Sequence, residues 1–290
     1  MTGRSGRGRR RASAPRGPQP PLLGGVRTHV RRLTTISAAL AASLALLGGS
    51  AIAETIVGDA SPNELTGTAE PDGLWGEEGD DKLTGLDAND YLEAGPGNDG
   101  IDAGRGDDFA TGGSGDDQVT LGPGRDVAYG GPGNDSLVGE DGSDVLLGQF
   151  GNDRVFGGPG DDRLYGGTGD DYVDGGTGSD QLFADVGTNT LIGGAGPDRF
   201  MVQGGATSTI QGNAGDDRIS LSSGNDTVNP GSGEDRVSSA SGDDTIEAID
   251  GRRDVIRCGK GADTVRADKI DKVEKTCESV TRGSPSKKKR

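Results

Sequence analysis

The residues of this sequence that could do chemistry are aspartates, and they recur at a fixed interval of nine residues. From Asn63 to Asp198, every ninth position is Asn or Asp without a break. An apolar residue follows two positions later in each unit, as Val119 follows Asp117. Carboxylates are ligands that hard divalent cations such as Ca²⁺ prefer. Rows of carboxylates at one spacing therefore indicate a chain that holds such ions.

The aspartates belong to a repeated unit that reads Gly-Gly-x-Gly-x-Asp-x-apolar-x. It is best preserved between residues 112 and 180, for example as GGSGDDQVT at 112–120 and GGPGDDRLY at 157–165. Glycine permits the positive φ of a tight turn, so the first six residues predict a turn and the last three a short strand. The register continues to Asp263 after two one-residue insertions, one within 202–211 and one before Asp254.

The composition excludes an ordinary globular core. Glycine accounts for 56 of 290 residues, aromatic residues make up 3% and hydrophobic residues 30%. So little apolar surface cannot fill a compact domain of this length. Because a disordered chain has no reason to keep a strict period, the repeat favours a solenoid.

Charge is distributed unevenly along the chain. Residues 54–250 contain 8 Lys and Arg against 41 Asp and Glu. An acidic region of this kind argues against nucleic acid as a partner, since phosphate binding needs clustered cations. Stacked carboxylates repel one another unless cations neutralise them, so calcium ions are the expected partner.

The repeat resembles the calcium-binding nonapeptide repeat of the repeat-in-toxin (RTX, hemolysin-type) family. That resemblance implies an all-β fold, a right-handed parallel β-roll with 18 residues per coil and several Ca²⁺ ions in its turns. It also implies that the sixth-position Asp and the turn carbonyls are the ligands. The metal-ligand residues carried over on this basis are Asp81, Asp99, Asp108, Asp117, Asp126, Asp135, Asp144, Asp153, Asp162, Asp171, Asp180, Asp198, Asp217, Asp226, Asp235, Asp244 and Asp263. Asn63, Asp72, Asp90 and Asn189 lie in the turns that depart furthest from the pattern.

Four segments follow from these patterns. Residues 1–53 combine a basic stretch, an apolar run and Ala51-Ile52-Ala53, and they predict a cleaved export signal. The alternative is a retained anchor, although the apolar run is short for a bilayer. Residues 54–263 form the roll, 264–283 a C-terminal cap and 284–290 a basic disordered tail. The mature chain is thus expected to be secreted or extracellular, associated with the cell envelope in one version, and without a membrane span.

Cys258 and Cys277 are the only two cysteines of the chain. An even count in an exported protein favours a disulfide, which would join the cap to the last repeats. The alternative is two reduced thiols.

The functional expectation is a calcium-binding repeat protein that folds on ion binding after export, and not an enzyme. The only histidine, His29, lies in the export signal, which excludes histidine-based triads and zinc sites from the mature chain. Two alternatives stay open: a calcium-dependent adhesin that binds an extracellular polysaccharide or protein, and a polysaccharide-acting enzyme. An ice-binding surface would need a sustained rank of threonines, and the sequence suggests none.

Overall fold

The structure is a computed structural model that describes residues 53–205 and 207–283. Within these ranges every regular element is a β-strand, and no helix is long and apolar enough to cross a membrane. The predicted export signal and basic tail lie outside the described residues, apart from Ala53.

Alternate strands belong to two parallel sheets of thirteen strands each. The odd sheet contains β1 (Glu54–Val57), β3 (Asp72–Trp75), β5 (Tyr91–Pro96), β7 (Phe109–Ser114), β9 (Val127–Pro132), β11 (Val145–Phe150), β13 (Arg163–Thr168), β15 (Gln181–Ala184), β17 (Arg199–Val202), β19 (Arg218–Ser220), β21 (Arg236–Ser238), β23 (Val255–Arg257) and β25 (Lys272–Val273). The even sheet contains β2 (Glu64–Thr66), β4 (Lys82–Asp87), β6 (Gly100–Arg105), β8 (Gln118–Thr120), β10 (Ser136–Val138), β12 (Arg154–Pro159), β14 (Tyr172–Thr177), β16 (Thr190–Ala195), β18 (Thr209–Ala214), β20 (Thr227–Asn229), β22 (Thr245–Ala248), β24 (Thr264–Asp268) and β26 (Ser279–Gly283).

Each strand pairs with the strand one coil away, as the nonapeptide period predicts. Leu137 pairs with Val155 and Leu146 with Leu164, an offset of 18 residues in both sheets. The predicted all-β parallel solenoid with 18 residues per coil is confirmed. Both predicted insertions are also found, because Arg199 pairs with Arg218 and Arg236 with Val255 at an offset of 19.

The core is a double column of the eighth-position side chains. Leu146, Leu164 and Leu182 are fully buried on one sheet, and Val155 and Val173 on the other. Each nonapeptide thus buries one aliphatic side chain, worth about 1.5–3 kcal/mol. Fixing nine residues of backbone costs roughly 1–2 kcal/mol per residue, so apolar burial alone does not hold the roll together.

The strands are longer than the expected three residues. Many span six, as β14 does from Tyr172 to Thr177, and include the first three residues of the next turn. Gly176 pairs with Gly194 across the coils, which extends the parallel ladder into the glycine pair. The segment predicted as a cap supplies β25 and β26, which are the last strands of the two sheets.

The outer faces of the two sheets differ in chemistry. On the odd sheet, Tyr91 stacks on Phe109 and Tyr165 on Phe183, with ring centroids 5.1 and 4.5 Å apart. On the even sheet, cross-coil pairing puts five threonines in one column: Thr190, Thr209, Thr227, Thr245 and Thr264. The expectation that no sustained threonine rank exists was therefore wrong.

A charged column lies beside the threonines. It contains Glu247 and Arg266, whose side chains form an ion pair. The threonine rank is thus a single polar column with charged neighbours.

Candidate metal sites in the turns

The turns lie along two edges of the roll, and each edge carries one sixth-position side chain per coil. Asp117, Asp135 and Asp153 lie along the first edge, and Asp126, Asp144 and Asp162 along the second. All seventeen predicted ligand residues are buried, with 0–3% of their surface exposed. The glycine turns and the short offset between coils bring these carboxylates together.

One oxygen of each sixth-position carboxylate is held by the backbone. Oδ1 of Asp135 accepts a hydrogen bond from the backbone N–H of Asp117, at 2.9 Å, and Oδ1 of Asp153 accepts one from Asp135, at 2.8 Å. The same bond repeats along both edges. These bonds fix the side chain between two coils and orient its second oxygen inwards.

The second oxygen, Oδ2, is buried without a hydrogen-bond partner in sixteen of the seventeen predicted residues. Asp226 is the exception, although its Oδ1 accepts the backbone N–H of Ser208. Buried carboxylate oxygens are costly unless a hydrogen bond or a cation compensates them. A row of such orphaned oxygens is an arrangement that cations would satisfy.

Glycine is required around these oxygens because a side chain would occupy their space. A Cβ atom placed on Gly112 would lie 2.3 Å from Oδ2 of Asp117. Gly113 has a φ of 115°, and a Cβ there would lie 2.0 Å from the carbonyl oxygen of Gly95. The first glycine therefore makes room for the carboxylate, and the second permits close approach to the carbonyls of the previous coil.

Burial shifts the acidity of these groups. Desolvation, reinforced by carboxylates one coil away, raises the pKa of Asp117, Asp126 and Asp153 to about 7, although the backbone hydrogen bond opposes the shift. The pKa of Asp99 and of Asp108 rises to about 6 for the same main reason. The unneutralised carboxylates thus destabilise the turns in which they lie.

Two departing turns satisfy their side chains with donors from the protein. Nδ2 of Asn189 lies 3.2 Å from the carbonyl oxygen of Asp185 and 3.5 Å from that of Gly187, in the second and fourth positions of its own turn. Oδ2 of Asp72 accepts the backbone N–H and the hydroxyl of Thr68. Asn189 shows which carbonyls face the outer atom of a sixth-position side chain, and its amide donates where a carboxylate could not.

The ligand prediction missed two residues. Asp90 and Asp254 are buried and have an orphaned Oδ2, and burial raises their pKa to about 7 and about 6. Asp90 was set aside because Ala88 replaces the fourth glycine, yet Ala88 takes the required positive φ of 83°. The nine-residue register alone would have identified both aspartates.

A second ladder, formed by fifth-position residues, was also missed. Oδ1 of Asn98 accepts the backbone N–H of Asp116, and Oδ1 of Asp116 accepts that of Asn134. These side chains are exposed, and their bonds run in the opposite direction to those of the sixth position. The frequent Asp or Asn at this position was the available signal.

Within the described ranges, no three His, Cys, Asp or Glu side chains converge as a metal centre. A cation in these turns would thus take one carboxylate per turn and complete its shell with backbone carbonyls. Ca²⁺ accepts six to eight oxygen ligands from both sources at about 2.3–2.6 Å. The donor set fits calcium and lacks the nitrogen and sulfur ligands that zinc prefers.

The C-terminal coils contain a disulfide. The Cα atoms of Cys258 and Cys277 are 5.2 Å apart and their Sγ atoms are bonded. Both side chains are buried, and the bond connects β23 to the segment that leads into β26.

A parallel solenoid with one buried carboxylate per glycine turn defines a class of calcium-binding repeat protein. A family model described as the RTX calcium-binding nonapeptide repeat (4 copies) matches overlapping segments that together span residues 48–237. The chain belongs to this family. No curated protein matches the chain.

Proposed function

We propose that the chain is a secreted calcium-binding protein whose turns bind several Ca²⁺ ions and whose roll folds when they bind. The observation that carries the proposal is the row of buried Oδ2 atoms without hydrogen-bond partners. Membership in a calcium-binding repeat family supports it independently. The proposed ligands are the seventeen aspartates identified from the sequence, together with Asp90 and Asp254.

Each part of the turn has a separate task in this proposal. The backbone N–H of the previous coil orients the carboxylate through Oδ1, as Asp117 does for Asp135. Oδ2 is the oxygen left for the ion, and the carbonyls of the second and fourth positions face the same space, as the Asn189 turn indicates. A bound ion supplies the positive charge that lets these oxygens stay buried.

Export would separate synthesis from folding. The basic and apolar segment at residues 1–53 supports export, and a disulfide between Cys258 and Cys277 suits an oxidising compartment. Inside a cell, low free calcium would leave the chain unfolded and ready for export. Outside, calcium would drive folding, and the bond between the cysteines would then join the last coils.

Circular dichroism and calorimetry test the proposal on the mature chain. We expect little β-structure at neutral pH in a chelator, a β-rich spectrum when Ca²⁺ is added, and several ions bound per chain. Mg²⁺ is the matched control, because it demands octahedral geometry and dehydrates reluctantly. A chain that is fully folded in chelator at neutral pH, or that Mg²⁺ folds equally well, would contradict the proposal.

A further inference from the structure

The outer face of the odd sheet carries positive charge on an otherwise acidic chain. Residues 54–250 contain eight Lys and Arg, and four of them, Arg163, Arg199, Arg218 and Arg236, occupy a single column of this face. The same face carries one acidic residue in that range, Glu93, out of 41.

Three of these arginines are direct neighbours. Arg199 pairs with Arg218, and Arg218 pairs with Arg236, so their side chains leave the sheet at the strand spacing of about 4.7–4.9 Å. All three are exposed, and none has an ion pair or a side-chain hydrogen bond within residues 53–205 and 207–283. Like charges directly opposite each other destabilise a sheet, so this rank costs stability in the isolated roll.

We propose that this arginine rank binds an acidic polysaccharide, with carboxylate or sulfate groups, along the axis of the roll. A linear polyanion would relieve the repulsion between the guanidinium groups, and each guanidinium can bind an oxyanion with two hydrogen bonds. Tyr165 and Phe183 lie in the adjacent column and offer apolar surface to the sugar rings. This function goes beyond ion binding, and its failure would leave the calcium proposal untouched.

The spacing of the rank favours a polysaccharide over other polyanions. Duplex DNA carries one charge per about 1.7 Å of its axis, and one strand carries one per about 3.4 Å. An extended acidic peptide presents side chains on one face about every 6.6–6.8 Å. A sugar chain with one anionic group per unit has charges separated by the length of one sugar, which is comparable to the spacing of strands.

Affinity electrophoresis in the presence of calcium tests this assignment. The gels contain polygalacturonate, dextran sulfate, neutral dextran or single-stranded DNA. We expect the two acidic polysaccharides to retard the folded protein and neutral dextran to have no effect. The R199Q/R218Q/R236Q variant should lose on the order of tenfold in affinity, from three exposed charge contacts.

The control variant is R105Q/R125Q/R154Q, which removes the same charge from exposed positions outside the odd-sheet face. It should bind like the unmodified chain, which would also exclude calcium bridging between two acidic polymers as the cause. Equal losses in both variants, or no retardation by either acidic polysaccharide, would overturn the proposal. Stronger binding to single-stranded DNA would identify a nucleic-acid surface instead, and a dimer that only the first variant abolishes would identify a second copy as the occupant.

Discussion

If burial of negative charge is what calcium must compensate, protons should be able to replace calcium. Fourteen buried aspartates of the roll have a pKa raised to about 6 or 7, among them Asp117, Asp153 and Asp180. Unfolded Asp has a pKa near 3.9, and one pKa unit corresponds to about 1.4 kcal/mol. Each group therefore costs the ion-free fold roughly 3–4 kcal/mol at neutral pH, and together they cost tens. Typical domain stability is only about 5–15 kcal/mol.

The sign of the pH dependence follows from the direction of these shifts. Because the folded-state pKa values are raised, the folded chain binds more protons than the unfolded chain between about pH 4 and 7. Stability in chelator should thus be fully present below about pH 4 and be lost as the pH rises through 6 to 7. Calcium binding should show the opposite trend and weaken in acid, because protons compete for the same carboxylates.

The assay is far-ultraviolet circular dichroism in chelator between pH 7.5 and 4, with the calcium-loaded spectrum at pH 7.5 as the reference. Low protein concentration limits precipitation near the pI of about 4.4. We expect the β-rich spectrum to return as the pH falls. A spectrum that stays disordered down to pH 4, or β-structure that acid abolishes, would refute the argument from carboxylate burial.

Three further predictions concern individual residues of the turns and the last coils. Asp153→Asn should lower the calcium stoichiometry and affinity in titration calorimetry, whereas Asp116→Asn, in the exposed fifth-position ladder, should leave both unchanged. In thermal melts with calcium, Leu86→Gly should stabilise the roll by about 1 kcal/mol, since Leu86 has a φ of 90°. Gly113→Ala should destabilise it by at least about 1–3 kcal/mol, because strain at positive φ adds to a clash with a backbone carbonyl; equal melting temperatures for these two variants would contradict the turn geometry. Cys258→Ser should cost on the order of 3 kcal/mol by opening a 19-residue separation, and a melting temperature equal to that of the reduced parent chain would show only that the bond is the sole contribution of this cysteine.

The period of nine made the fold readable from the sequence. Because one residue of slip would turn Leu146 and Leu164 to the outside, the apolar column fixes the register, and the aspartates follow on the two edges. Even the insertions could be located, since the Asp register resumes at Asp217.

What the sequence could not predict depends on atoms rather than on spacing. The bond from the backbone of Asp117 to Oδ1 of Asp135 divides each carboxylate into a held oxygen and an orphaned one, and no residue pattern encodes that division. Asp90 was set aside because a missing glycine suggests a broken turn, but Ala88 tolerates positive φ. The threonine column arises only when the offset of 19 between Thr190 and Thr209 is known.

The two edges of the roll are not equivalent. On the second edge, every sixth-position residue from Asp90 to Asp254 is an aspartate with an orphaned Oδ2. On the first edge, the row is interrupted where Asn189 and Ser208 follow one another in adjacent coils. Each repeat of a solenoid is stabilised mainly by its neighbours, so two adjacent turns without a carboxylate divide the first edge into two blocks of calcium sites. The coils at this interruption then depend on the second edge for calcium, where Asp180 and Asp198 continue the row without a gap.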